Sequence, residues 1–339
     1  MDNFQEFAKL PGTERERQWL LDRLETLSVK ESVALSAATI QTPKTMADVI
    51  DRILTLQDYA VVFPAGSYER LGEFYLRHET ALPEQILLCV DLYRIGAWYA
   101  DKHPGRFVGN CYVSDPSQAG DHRYSTGSAQ IPEDTDWSVK VRLASPSVPD
   151  GVWLRLPDAS VISGRPDETA LALDALKVRS LENCVLLDVR CCLPELGDLR
   201  EQYDDIVELV NDGNDLGYLL EEQGQGAPRF MERFAAALEY EGCRDLRLAL
   251  DIAQNLRCYE WIPSDSLRDL GLKKLRESGV AEELLASGVI DPESCAAELL
   301  ESAGYLLTTD ESGYITRNSR EFIHDRTAPE RAEPVMGPL

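Results

Sequence analysis

Two stretches decide how this chain is read: PAGSYERLG, Pro64–Gly72, and PSDSLRDLG, Pro263–Gly271. Both fit P-x-x-S-x-x-x-L-G, and a tyrosine lies just upstream of each, Tyr59 and Tyr259. The agreement continues downstream. Asp91 follows Gly72 by 19 residues, Asp291 follows Gly271 by 20, and Cys111-Tyr112-Val113 parallels Gly313-Tyr314-Ile315. Self-similarity of this kind marks a repeated structural unit. A partial third copy starts at Leu216-Gly217, where Pro228 falls 11 residues past Gly217 as Pro83 does past Gly72. Each unit predicts a Ser N-cap, a short helix carrying Leu71-Gly72 or Leu270-Gly271, and a second helix. In the last unit Asp291-Pro292 supplies an N-cap and N1 pair. A glycine inside a helix costs about 1 kcal/mol relative to alanine, so its repetition predicts close helix packing.

Outward from these units, Thr13 and Glu16 have capping-box spacing ahead of Trp19, Leu20, Leu21, Leu24 and Leu27, and predict a first helix. A second helix is expected over about Met46–Leu56. Residues 115–135, polar and rich in Ser, Gly and Pro, read as a linker. SVKVRLAS and GVWLRLP alternate with period two around Pro149-Asp150-Gly151 and predict a strand pair with its turn there. Leu171–Leu176 reads as helix and Cys184–Cys192 as another strand. The expected fold is α+β and helix-dominated: an N-terminal helical Leu-Gly module (1–114), a linker (115–137), a small domain with antiparallel strands (138–200), an acidic helical module (201–245), a C-terminal helical Leu-Gly module (246–325) and a frayed tail (326–339).

The 339 residues include 34 Lys and Arg against 59 Asp and Glu, a net charge of −25, with 44% apolar residues. That composition folds, and it repels phosphate backbones, which excludes direct nucleic-acid binding through a basic face. The charge is uneven. Residues 1–125 hold 18 acids and 13 bases. Glu201–Glu222 holds eight acids and no base, and Glu277–Thr316 nine acids and no base. Ordinary surfaces intersperse both signs, and crowded carboxylates repel one another. Taken as one helix, 22 residues would span about 33 Å with one negative charge every ~4 Å, against one per ~1.7 Å of axis in duplex DNA.

Chemistry is hard to find. The four histidines, His78, His103, His122 and His324, make no H-E-x-x-H, the cysteines form no C-x-x-C, and neither G-x-S-x-G nor a Walker A loop is present. Gly224-Gln-Gly226 lacks the rest of a dinucleotide fingerprint. No cofactor, no metal and no catalytic residue is expected. The eight cysteines, several within apolar runs, read as reduced core residues. Without a long apolar run or signal peptide, the chain is expected to be cytosolic, with no membrane partner.

DLGYLLEEQG (Asp215–Gly224) and the frame Cys258-Tyr259, Pro263, Leu270-Gly271, Ile290-Asp291, Gly313-Tyr314-Ile315 resemble the ArdA antirestriction family. Gly151-Val-Trp153-Leu-Arg-Leu-Pro157 is similar to the Gly-x-Trp-x-x-x-Pro element near that family's start. The resemblance covers about Val139–Ile315, and residues 15–113 look like an extra copy of the C-terminal portion. Asp291 is followed by Pro-Glu rather than the family's Tyr-Glu, and Asp91 by Leu-Tyr.

What the resemblance implies is an elongated acidic protein that imitates bent DNA in the DNA-binding groove of a type I restriction-modification complex, in the cytoplasm of a bacterial host, with self-association as a homodimer. The acids expected to stand for phosphates are Glu201, Asp204, Asp205, Glu208, Asp212, Asp215, Glu221, Glu222, Glu239, Glu241, Glu282, Glu283, Asp291, Glu293, Glu298 and Glu301. The alternative is an acidic helical-repeat module for a partner that does not bind DNA. An enzyme is the least favoured reading.

Overall fold

The computed structural model describes residues 4–83, 87, 89–114, 123–125, 128, 130–134, 137–224 and 229–323. Capping chemistry starts the first three helices. Thr13, Ser28 and Thr45 each accept the N–H three residues on, and the Glu16, Glu31 or Asp48 side chain accepts the cap's own N–H. These boxes begin α1 (Glu14–Glu25), α2 (Val29–Ala38) and α3 (Met46–Leu54). There follow β1 (Ala60–Val62), α4 (Tyr68–His78), α5 (Leu92–Lys102), β2 (Gly105–Val108) and β3 (Cys111–Ser114). A middle segment holds β4 (Val139–Ser145), β5 (Val148–Arg155), α6 (Ser160–Ser163), α7 (Glu168–Leu176) and β6 (Val185–Cys191). The remainder runs α8 (Leu199–Gln202), α9 (Ile206–Gly224), α10 (Phe230–Glu241), α11 (Leu246–Gln254), β7 (Tyr259–Pro263), α12 (Leu267–Glu277), α13 (Glu282–Ala286), α14 (Pro292–Ser302), β8 (Leu306–Leu307) and β9 (Gly313–Arg317). The fold is α+β with helices dominant, and the described strands form three antiparallel three-stranded sheets.

The repeat is present in the strand register. The first copy orders its sheet β1-β3-β2 and the second β7-β9-β8. Tyr112 pairs with Val62 on one side and Phe107 on the other, and Tyr314 pairs with Ile262 and Leu307 in the same way. In each copy a helix pair intervenes between the first and last strands, and the Leu-Gly glycine is where the pair touches. A Cβ on Gly72 would meet the Leu92 carbonyl, and one on Gly271 the Pro292 carbonyl. Upstream, α2-α3 precede the first sheet as α10-α11 precede the second, and α2 and α10 each pack on their own sheet.

The two copies differ in their caps. Ser67 caps α4 by accepting the Arg70 N–H, as expected. Ser266 does not cap α12: its hydroxyl donates to the Pro263 carbonyl instead, because a 3₁₀ turn over Ser264–Ser266 already leads into the helix. Asp291 caps α14 with Pro292 at its first position, as predicted. In the partial third copy Leu216 and Gly217 lie buried inside the 19-residue α9, which α10 follows, and among the described residues no strand stands between the two helices.

The chain packs as two compact units, Met1–Cys192 with Tyr203–Asn214, and Leu193–Gln202 with Asp215–Leu339. In the first, Leu20, Leu35, Met46, Ile50 and Ile53 form a core that also holds Tyr124 and Ile131. The Tyr124 hydroxyl donates to Glu16, its N–H donates to Asp51, and Arg123 pairs with Asp58. The described part of the expected linker is therefore packed structure. Its polar composition hides two apolar anchors.

The predicted strand pair is β4 and β5, but its turn lies at Pro146-Ser147 rather than at Pro149–Gly151. Gly151 instead sits inside β5 with φ +71°, opposite a register shift at Leu143–Ser145, the signature of a bulge. The eight cysteines stand outside any disulfide; Cys111, Cys184, Cys243 and Cys258 are buried, whereas Cys89 is exposed and departs from the core reading.

Candidate acidic interface

The acidic stretch 201–222 is not one helix. It breaks at Tyr203–Asp205, between α8 and α9, where the buried Tyr203 ring turns the chain inward. Asp205 restarts the helix by accepting the Val207 N–H at 2.7 Å. Asp212 accepts the Tyr203 hydroxyl at 2.6 Å. The first turns of α9 are anchored within the first unit. The Ser138 hydroxyl donates to the Gly213 carbonyl at 2.6 Å, and Asn214 accepts the Asp158 N–H at 2.7 Å. Leu209 and Val210 face inward, so Asp204, Asp205 and Glu208 are left on the exposed side of the first unit. Glu201, Glu221 and Glu222 are exposed in the second unit, where Asp215 is half-buried.

The remaining predicted acids all belong to the second unit, and many have structural work. Glu239 accepts the N–H and hydroxyl of Thr309 at 2.8 and 2.5 Å. Glu241 accepts the Tyr259 hydroxyl at 2.7 Å and faces Arg317 at 3.3 Å; burial and this carboxylate together push the Tyr259 phenol up. Glu282 pairs with Arg276 at 2.7 Å, and Glu293 lies 3.8 Å from Arg268. Asp291 holds the Ser294 hydroxyl and the Glu293 N–H, which keeps its carboxyl below the usual range. Glu301 accepts the Tyr314 hydroxyl at 3.3 Å. Glu283 and Glu298 are exposed. Among the described residues, Glu201, Asp204, Glu221, Glu222, Glu283 and Glu298 form no ion pair. Of the Leu-Gly residues, Leu71, Gly72, Leu216, Gly217 and Gly271 are buried and Leu270 is half-buried. They are packing residues.

The largest buried concentration of charge lies elsewhere and was not anticipated. In the first unit Glu31 is paired with both Arg23 and Arg155. Asp134 binds the same two arginines at 3.1 and 2.9 Å and Lys140 at 2.9 Å. Burial pushes the Glu31 carboxyl up, but the two arginines outweigh it and hold it down at about 2. Burial, with Arg23 beside it, brings Lys140 down to about 8 against the pull of Asp134 and Glu31. Next to this cluster Lys30 pairs with Asp167 at 2.6 Å. Glu168, fully enclosed, accepts the Ser28 hydroxyl as its one side-chain hydrogen bond among the described residues, and burial pushes it up to about 8. Lys140 within the apolar run VKVRL, and Glu31 within a capping box, were the traces of it in sequence. The cluster ties α1, α2, β4, β5 and residue 134 together as an internal clamp.

Comparison with protein-family models, with curated proteins and with solved structures returned no match. Among the described residues no helix is long and apolar enough to cross a membrane.

Proposed function

We propose that this chain is an acidic inhibitor that imitates DNA and occupies the DNA-binding groove of a defence enzyme, a type I restriction-modification complex in a bacterial cell. One observation carries it. The base-free stretch 201–222 folds into helices whose outer residues Glu201, Asp204, Glu221 and Glu222 are exposed and matched by no cation among the described residues. A cleft lined with Lys and Arg for phosphates attracts such carboxylates by long-range steering and loses them as salt rises. The motif order shared with the ArdA family supports the same partner class.

The test is competition. The full chain displaces duplex DNA from a type I restriction-modification complex at 50 mM salt and weakens steeply by 300 mM. The variant Glu201→Gln, Asp204→Asn, Glu221→Gln, Glu222→Gln folds normally and inhibits at least tenfold less. Undiminished inhibition by that variant, or competition indifferent to salt, rejects the proposal.

A second reading is favoured by one contrast between the copies. Residues 259–317 hold 12 acids and 5 bases, whereas 60–114 hold 6 and 5, and the first copy exposes Tyr93 and Trp98 on α5. Aromatic side chains of that kind anchor protein interfaces. An interaction module whose partner does not bind DNA would use that face, and its complex would survive high salt.

A further inference from the structure

The two copies carry the same groove, walled differently. In the first, Val29, Ser32, Val33 and Ser36 of α2 line a cavity of about 260 Å³ against the β2–β3 turn. In the second, Glu232, Ala235, Ala236 and Glu239 of α10 line one of about 460 Å³ against the β8–β9 turn. The spacing i, i+3, i+4, i+7 is identical and marks one face of a helix. The helices are equivalent by order and by the sheet each covers.

What differs is the third wall. In the first copy a helix is seated there: Leu171 of α7 packs with Phe63 and Cys111 and against Val29 and Val33. In the second copy, among the described residues, α10 is the helix that lines the groove, and its remaining wall is loop residues such as Glu195 and Arg244. The chemistry has changed with it. Where the first copy has Val29 and Ser36, the second has Glu232 and Glu239, both exposed, and where it has Ser32 and Val33 it has Ala235 and Ala236. Replacing those two by alanines deepens the floor. With Glu195 and Asp310, four carboxylates line the groove; Glu239 holds Thr309 and Glu232 lies 4.0 Å from Arg229, which leaves Arg244 as the one cation in the lining itself.

We propose that the groove between α10 and the β8–β9 turn docks a helix of a partner protein, seated as α7 is seated on α2, with basic side chains against Glu232 and Glu239. The seat fixes the shape of the occupant and the carboxylates fix its charge. An apolar residue between the two bases sits over Ala235 and Ala236. This interface is separate from the DNA-like role of α9, because it requires one groove of the second unit and a helical partner.

The experiment titrates the full chain into a fluorescein-labelled, alanine-based helical peptide bearing two lysines seven residues apart and a leucine between them. Binding by anisotropy is expected, and a peptide with glutamines for the lysines binds at least tenfold more weakly. Ala235→Trp, which fills the groove without altering charge, weakens the lysine peptide at least tenfold. Glu232→Lys does the same, and replacing the facing lysine by glutamate in the peptide restores binding. Glu232 is exposed, so this pair of variants reports on docking even if Ala235→Trp lowers stability. The quadruple α9 variant that tests the DNA-like role should change peptide binding by less than twofold. Three outcomes overturn the proposal: no binding by the lysine peptide, equal binding by a folded Ala235→Trp chain, or loss of binding in the α9 variant.

Discussion

A Cβ on Gly72 would stand 2.1 Å from the carbonyl oxygen of Leu92, and one on Gly271 would stand 1.9 Å from that of Pro292. In each case the obstacle is the backbone of the helix packed against it, α5 for Gly72 and α14 for Gly271, which cannot rotate away as a side chain can. Gly96 closes the first crossing from the other side, 1.8 Å from the Tyr68 carbonyl by the same construction. Replacing Gly72 or Gly271 by alanine should therefore destabilise by about 1–3 kcal/mol through overpacking, despite the ~1 kcal/mol gained in helix propensity. Gly224, at the end of α9, is the control. Its nearest obstacle is 3.8 Å away, and Gly224→Ala should be neutral or mildly stabilising. Urea midpoints decide this, and an unchanged midpoint for Gly72→Ala would show that the helix pair can separate at no cost.

That crossing was legible because a helical glycine is expensive and its repetition in the same frame is improbable without a packing reason. The antiparallel strands, the Thr13–Glu16 box and the Asp291-Pro292 start were legible for similar local reasons. The misreadings share a different cause. Tyr203, Tyr124 and Ser266 each take their conformation from a partner distant in sequence or from a competing local turn, and Pro149–Gly151 looked like a turn although Gly151 serves a bulge. The acids were legible as charge but not as roles. Asp212, Glu239, Glu241 and Glu301 hold hydroxyls that only the folded chain brings near them.

Glu168 makes the first unit lose stability as pH rises through the weakly acidic and neutral range. Burial pushes its carboxyl up to about 8; Lys30 and the Ser28 hydroxyl oppose this, and Glu31 and Asp167 add to it. In the unfolded chain the group titrates near pH 4.3. Between those values the native state holds a proton that the unfolded state has lost. The stabilisation is thus complete below about pH 4.3, declines as pH rises and is gone above about 8, with a slope of at most ~1.4 kcal/mol per unit. Glu168→Gln should flatten stability between pH 5 and 8 and raise it at pH 7.5. Parallel curves for the two proteins over that range would mean that Glu168 is ionised in the native state.

Glu31 has the opposite sign. Against its burial, Arg23 and Arg155 hold it down at about 2, so its contribution is present above the unfolded value near 4.3 and is lost as pH falls toward 2. Glu31→Gln takes one of the carboxylates away from both buried arginines and weakens the acceptor for the Ser28 N–H. Removing one partner of a buried pair costs about 3–5 kcal/mol. Chemical denaturation at pH 6 should show a loss in that range, and a loss under 1 kcal/mol would show that the arginines find water.

The exposed and the engaged acids should separate under thermal denaturation. Asp205→Ala removes the side chain that accepts the Val207 N–H at the start of α9 and should cost about 0.5–2 kcal/mol. Asp212→Ala strands the hydroxyl of the buried Tyr203 and should cost about 1–3 kcal/mol. Glu221→Gln and Glu222→Gln remove repulsion and no described contact, so they should leave the midpoint unchanged or slightly raised. Salt adds a second, independent reading. A chain of net charge −25 resists compaction by self-repulsion, and at 0.5 M salt the screening length falls to a few Å, so the midpoint of the natural chain should rise between 50 mM and 0.5 M NaCl. That rise should shrink in the Glu221→Gln, Glu222→Gln variant, which removes two solvated charges that no described cation matches, and shrink less in Asp212→Ala, which removes one carboxylate held by the Tyr203 hydroxyl. Equal salt responses in the two variants would mean that the solvated carboxylates of α9 carry no more electrostatic strain than an engaged one.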